Sequence, residues 1–225
     1  IIFKINLLVI TLFTSSAHAT TSFVDSFSVG SQETAPTDLA FNNDGTKMFV
    51  IGQGSDSVNE YTLSTAFDVS TKSFVDSFSI AAQDGASRGL AFNNDGTKMF
   101  VLGRASKAVN EYTLSTGFDV STASFVDSFS VAAQETSPQG LAFNNDGTRM
   151  YVTGNYNGIN QYALSTGFDV STANFWYDVS FDLHELGPTG IAFNNDGTKM
   201  FMIGASSDNV NEYTLSTAFE VPYPY

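Results

Sequence analysis

A single phrase recurs four times along the chain and confines the fold to a short menu. Leu39-Ala40-Phe41-Asn42-Asn43-Asp44-Gly45-Thr46-Lys47-Met48-Phe49 returns at Leu90–Phe100, Leu141–Tyr151 and Ile191–Phe201, the copies starting 51, 51 and 50 residues apart. A fixed period of this size belongs to solenoids, propellers and arrays. It also limits the search for function. Residues present in every unit serve folding, so departures from the repeat are where a site can be sought.

Within a unit the pattern is that of short strands. Phe23-Val24-Asp25-Ser26-Phe27-Ser28-Val29 alternates apolar and polar, as a half-exposed outer strand does. Asp38–Phe41 reads as a crowded inner strand, Lys47–Ile51 as a strand apolar on both faces, and Val58–Leu63 as a third, amphipathic strand. Asn42–Thr46 is a turn, because Asn and Asp tolerate the left-handed backbone and Gly favours it. Asp44, Gly45, Asp95, Gly96, Asp146, Gly147, Asp196 and Gly197 are therefore expected as turn residues. No segment after the first 19 residues carries a helical period. The expectation is an all-β chain: a β-propeller of four blades, each of about 51 residues and four strands. The units fall near 23–73, 74–124, 125–174 and 175–225. Either Phe23–Val29 closes the ring by pairing with Val210–Leu215, or the chain is a fragment of a larger propeller.

The first residues read differently. Lys4, the apolar run Leu7–Phe13 and Ala17-His18-Ala19 form a secretory signal peptide over 1–19, and the apolar run is too short to span a membrane. The repeat domain is then 20–225, in a periplasmic or extracellular protein. Acids outnumber bases 23 to 9, for a net charge of −14, which argues against nucleic acid as a partner. The chain has no cysteine, so disulfides and thiolate metal sites do not arise.

The string Gly-[Leu/Ile]-Ala-Phe-x-x-Asp-Gly-Thr-[Lys/Arg]-Met-[Phe/Tyr]-Val, at Gly89–Val101 and Gly140–Val152, resembles the bacterial propeller repeats of the YVTN, NHL and TolB type. The resemblance covers all four units and implies the propeller fold. Those families include lactonases, scaffold propellers and surface-layer proteins, and none of their catalytic motifs is matched here.

Most recurring polar residues have structural readings. Asn-Asn-Asp-Gly-Thr holds too few carboxylates for a calcium loop and reads as an Asx-turn. Glu60, Glu111 and Glu212, with Gln161 in the third unit, read as solvated or hydrogen-bonded strand residues. Phe67-Asp68-Val69 and its copies read as anchors of a long connection. His184-Glu185 lacks the second histidine of a zinc-protease motif. No metal and no cofactor is expected. What varies is one set of loops. Arg88, Arg104 and Lys107 gather three of the nine Lys and Arg residues on one unit, and Tyr156, His184 and Glu185 lie on neighbouring variable loops. These six residues are the expected ligand contacts of a secreted, non-enzymatic binding module. Its partner would be a protein or polysaccharide, with anionic groups drawn to the basic residues and Tyr156 offering a stacking surface for a sugar ring. A lactonase-like hydrolase or isomerase, and a structural surface-array or adhesion module, are the alternatives.

Overall fold

The computed structural model describes residues 22–154, 158–179, 187–204 and 209–222. Residues 1–19, expected as a signal peptide, lie outside them. The first sheet runs β1 (Pro36–Phe41), β2 (Lys47–Gly52), β3 (Ser57–Leu63) and β4 (Lys72–Ser79), in sequential antiparallel order. The second repeats it with β5 (Ser87–Phe92), β6 (Lys98–Gly103), β7 (Ala108–Leu114) and β8 (Ala123–Ser130), and the third with β9 (Pro138–Phe143), β10 (Arg149–Gly154), β11 (Gly158–Leu164) and β12 (Ala173–Val179). The fourth holds β13 (Pro188–Phe193), β14 (Lys199–Gly204) and β15 (Val210–Thr214). These are the four blades of an all-β propeller, and the only helical pieces among the described residues are single 3-10 turns such as Val69–Thr71.

The expected turn is present in every blade. Asp44 Oδ1 accepts from the Thr46 N–H at 3.0 Å and from its hydroxyl at 2.5 Å, while Asn42 Oδ1 accepts from the Lys47 N–H at 2.9 Å. The hydroxyl and N–H of Thr46 hold the Asp44 carboxyl below its usual range, and the same pair of bonds acts on Asp95, Asp146 and Asp196. Gly96 sits at φ 71°, and a side chain there would drive into the ring of Phe118. Phe118 is itself left-handed, at φ 56°, and its N–H donates to the Gly96 carbonyl at 3.0 Å. Gly96→Val should cost about 3 kcal/mol, from strain at positive φ plus overpacking. Chemical denaturation would show it as a lowered midpoint, and an unchanged midpoint would refute the turn assignment.

Blades pack face to face. Phe49, Ile51 and Val58 of the first meet Met99, Val101 and Tyr112 of the second, and each is buried. The second meets the third, and the third the fourth, through equivalent residues. A polar staple accompanies the apolar contact. Lys47 Nζ bonds Glu60 Oε1 at 2.7 Å on its own blade and donates to the Phe118 carbonyl of the next at 2.6 Å. Glu60 Oε2 accepts from the Val120 N–H at 2.9 Å. Lys98 and Glu111 repeat this onto Phe168 and Val170. The strand glutamates Glu60 and Glu111 are thus hydrogen-bonded and buried. In the third blade Gln161 replaces Glu and donates to the Val221 carbonyl at 3.0 Å, and the Tyr151 hydroxyl takes over the bond to the Phe219 carbonyl. Arg149, with no ion pair among the described residues, stacks over Trp176, its Cζ 3.6 Å from the ring centroid.

Lys98→Ala should cost about 2–3 kcal/mol by leaving Glu111 buried without its cation, discounted because the lysine is part-exposed. Adding Glu111→Gln should recover part of that loss. Additivity of the two in a double-mutant cycle would show that the lysine and the glutamate do not act as a pair.

One expectation is corrected. Phe23–Val29 forms no strand and does not pair with Val210–Leu215, and β15 is the edge of a three-stranded sheet. The segment lies instead on the first blade. Phe27 and Val29 pack on Met48, Val50, Tyr61 and Leu63. Phe78 of β4 packs on Tyr112 of the second blade in the same way while β4 pairs with β3, so the segment keeps the packing of an outer strand and lacks only the pairing, because β15 does not lie beside it.

Candidate functional site

The inner strands β1, β5, β9 and β13 carry one repeat position toward the axis: Thr37, Arg88, Gln139 and Thr189 line a common pocket of about 360 Å³. The neighbouring position is Gly89, Gly140 and Gly190 in three blades but Asp38 in the first. At Gly140 a side chain would meet Thr153 and the backbone of the adjacent blade, which explains glycine in the crowded blades. The following blade is present at Asp38 too, and the carboxylate fits by turning onto that blade's backbone. Asp38 accepts from the Leu39 N–H at 2.8 Å through one oxygen and from the Leu90 N–H at 2.8 Å through the other. Burial raises its pKa, against the lowering effect of those two bonds. Each oxygen keeps a lone pair for a further donor.

Arg88 is the cation of this pocket. Its guanidinium faces Gln53, whose amide, with the oxygen turned toward it, accepts from Nη2 at 2.7 Å. Burial, and secondarily the charge of Arg104, lower its pKa, yet an arginine stays charged at any physiological pH. Among the described residues no carboxylate forms an ion pair with it. A forked donor with its charge uncompensated can take a carboxylate or sulfate by two parallel bonds.

The structure therefore brings Arg88 and Arg104 near each other, with Arg88 on the axis and Arg104 exposed on the β6–β7 loop. Lys107 has a backbone role as well. It sits at φ 53° and its carbonyl accepts from the Val131 N–H at 2.9 Å, as Asp56 does for Ile80. Tyr156, His184 and Glu185 lie outside the described residues. Sequence reasoning missed Asp38. The signal was there, a single acid among glycines at one repeat position.

The variable loops also contain a structural acid. Glu33 is buried and accepts from the N–H groups of Ala35, Gly54 and Ser55 and from the Ser55 hydroxyl, at 2.7–3.0 Å. Asp84 does the same for Ala86 and Ser106, and Glu135 caps Ser137. Glu33 and Asp84 each clamp the loop entering a blade to the loop between its second and third strands. Burial alone would raise the pKa of Glu33, but the bonds from Ser55, Ala35 and Gly54 outweigh it and hold the carboxyl below its ordinary value. A depressed folded pKa stabilises above the unfolded pKa, and that stability is lost as pH falls through the folded one. Glu33→Gln should therefore lower stability at neutral pH and converge on wild type in acid. Parallel unfolding curves at all pH values would remove the clamp.

No protein-family model matches the sequence, and no curated protein matches it. Solved structures do. The chain is similar to a protein of Lactobacillus plantarum at 20% identity and a TM-score of 0.59, covering 80% of this chain and 50% of that one. A Bacteroides uniformis protein to which 6-phosphogluconolactonase activity is ascribed gives 15% and 0.55, with the same coverage. The Swd1 β-propeller domain of Myceliophteria thermophila gives 12% and 0.54, covering 80% of this chain and 54% of that one. The shared feature is the propeller fold. The chain spans about half the length of these structures, and no helix among its described residues is long and apolar enough to cross a membrane.

Proposed function

We propose that the protein is a secreted, non-enzymatic binding module that takes an anionic, hydroxyl-rich ligand, such as a uronic-acid saccharide, at its axial pocket. One observation carries the reading: a single axis-facing position holds Thr37, Arg88, Gln139 and Thr189, so one guanidinium, with no ion pair among the described residues, stands beside neutral hydrogen-bonding groups and the Asp38 carboxylate. Arg88 would hold the carboxylate or sulfate, Asp38 would accept from ligand hydroxyls, and Arg104 would add attraction. Lys107, Tyr156, His184 and Glu185 belong to the surrounding loops, where they are proposed as further contacts. The leader over 1–19 supports export, and the Asp-Gly-Thr-[Lys/Arg]-Met turn supports kinship with the YVTN, NHL and TolB repeats.

Titration calorimetry against oligogalacturonate and its neutral analogue should show binding of the charged form alone. Arg88→Ala should weaken it about 10- to 100-fold, the worth of a charge-assisted bidentate contact. Equal affinity in wild type and variant, or no binding of any anionic saccharide, would end this reading. Asp38 favours a second one, hydrolysis of a sugar lactone, because its carboxyl is raised by burial in the same pocket as a cation. Lactone turnover abolished by Asp38→Asn would establish it in place of simple binding.

A further inference from the structure

The fourth blade ends in a face that every other blade buries. Val58, Val109 and Ile159 are 0% exposed, whereas Val210 at the same repeat position is 69% exposed. Ile51 and Leu102 are 0% exposed and Ile203 is 47%. The staple is left half-made as well. Lys199 pairs with Glu212, but the Glu212 side chain is 51% exposed, against 2% for Glu60 and 3% for Glu111, which receive a backbone N–H from the next blade.

The first blade carries the opposite half. Val69 is part-exposed where Val120, Val170 and Val221 are fully buried, and Phe67 is 60% exposed, so the corner that would receive a staple stands free. Leu39 is 55% exposed, although Leu141, its equivalent, lies over Gly89 beside Leu102. A hollow of about 210 Å³ at Gly190 and Ile203 has the place for that leucine, and an apolar one of about 440 Å³ between Phe27, Met48 and Val69 has the place for Phe201 and Ile203. The strands complement each other too. Phe27 stacks edge-on against Tyr61 at 5.2 Å and 78°, as Phe78 does on Tyr112 at 5.5 Å and 78°. Residues 23–29 therefore run where the outer strand of a preceding blade belongs, without an inner partner, and β15 lacks an outer one.

We infer that a second copy of this chain docks on the fourth blade through its own first blade, with its residues 23–29 completing the sheet at β15. The arrangement is head to tail, so two copies related by a twofold axis satisfy both ends at once and close a two-chain ring. Three interfaces of the same chemistry already exist within the chain, and the chain covers only about half of the three solved structures compared above. The closed ring would place two Arg88 residues, one from each copy, around one axis.

The register predicts the contacts. Asn59 pairs with Ser77 and Asn110 with Ser128, so Asn211 should pair with Ser26 of the second copy. The chain has no cysteine. A Ser26→Cys/Asn211→Cys variant, oxidised and run on a denaturing gel without reductant, should form a species of twice the chain mass. A disulfide within one chain, marking a self-closed ring, would overturn the proposal, and so would the absence of any disulfide. Light scattering gives a second readout. The unmodified chain should show twice the mass of one copy across a dilution series, and Val210→Asp one copy with unchanged circular dichroism. A monomeric unmodified chain would also overturn it, leaving the face to further repeats of a longer polypeptide.

Discussion

Blade-to-blade attachment rests on a left-handed phenylalanine. Phe67, Phe118, Phe168 and Phe219 all adopt φ near 57°, a conformation an aromatic residue pays for with about 1–3 kcal/mol of strain. At Phe118 the return is visible. Its N–H donates to the turn glycine of its own blade, its ring stacks 5.4 Å from Phe92 and 6.2 Å from Phe49, and its carbonyl takes the Lys47 ammonium of the preceding blade. The turn glycine is needed because that ring fills the space a side chain would occupy. Strain, turn chemistry, apolar packing and ion pair are thus one device at the first two junctions.

The third junction shows how such a device drifts without failing. Lys becomes Arg149, Glu becomes Gln161, Phe becomes Tyr151, and the receiving corner becomes Phe219-Glu220-Val221-Pro222. The carboxylate becomes an amide while the cation, as Arg149, moves onto the Trp176 ring, so no buried ion is stranded. The hydroxyl of Tyr151 takes the Phe219 carbonyl in place of the lysine ammonium, and the amide of Gln161 donates to the Val221 carbonyl where Glu60 and Glu111 accept from a valine N–H. The junction exchanges its ion pair for neutral hydrogen bonds, so position, more than charge, is what the fold requires there.

Folding constraints also shape the axis. Glycine at 89, 140 and 190 lets adjacent inner strands approach closely, while the residue beside each is free to vary because it points into open space. In the first blade the same position holds Asp38, whose carboxylate accepts from the Leu90 N–H of the second. The carboxylate and the guanidinium of the axial pocket come from separate blades, which a propeller axis gathers.

Much of this was legible from sequence because it is local. Alternation placed β2 and β3 within a residue of their observed limits, and Asn-Asn-Asp-Gly-Thr specified its turn through side chains that bond their own backbone. The period alone gave four antiparallel blades. What local chemistry does not encode is which face of a blade meets another. Glu60 and Glu212 stand in identical strings, yet one is buried and the other half-exposed, because only one has a following blade. Phe23–Val29 has the pattern of a strand and is not one, since pairing needs an edge within reach. Arg88 and Asp38 look like scattered loop and strand residues until the blades turn about a common axis and point both inward. Sequence determined the unit, through hydrogen bonds and periodicity within some fifty residues; tertiary packing decided which units are neighbours, and therefore which side chains share a site.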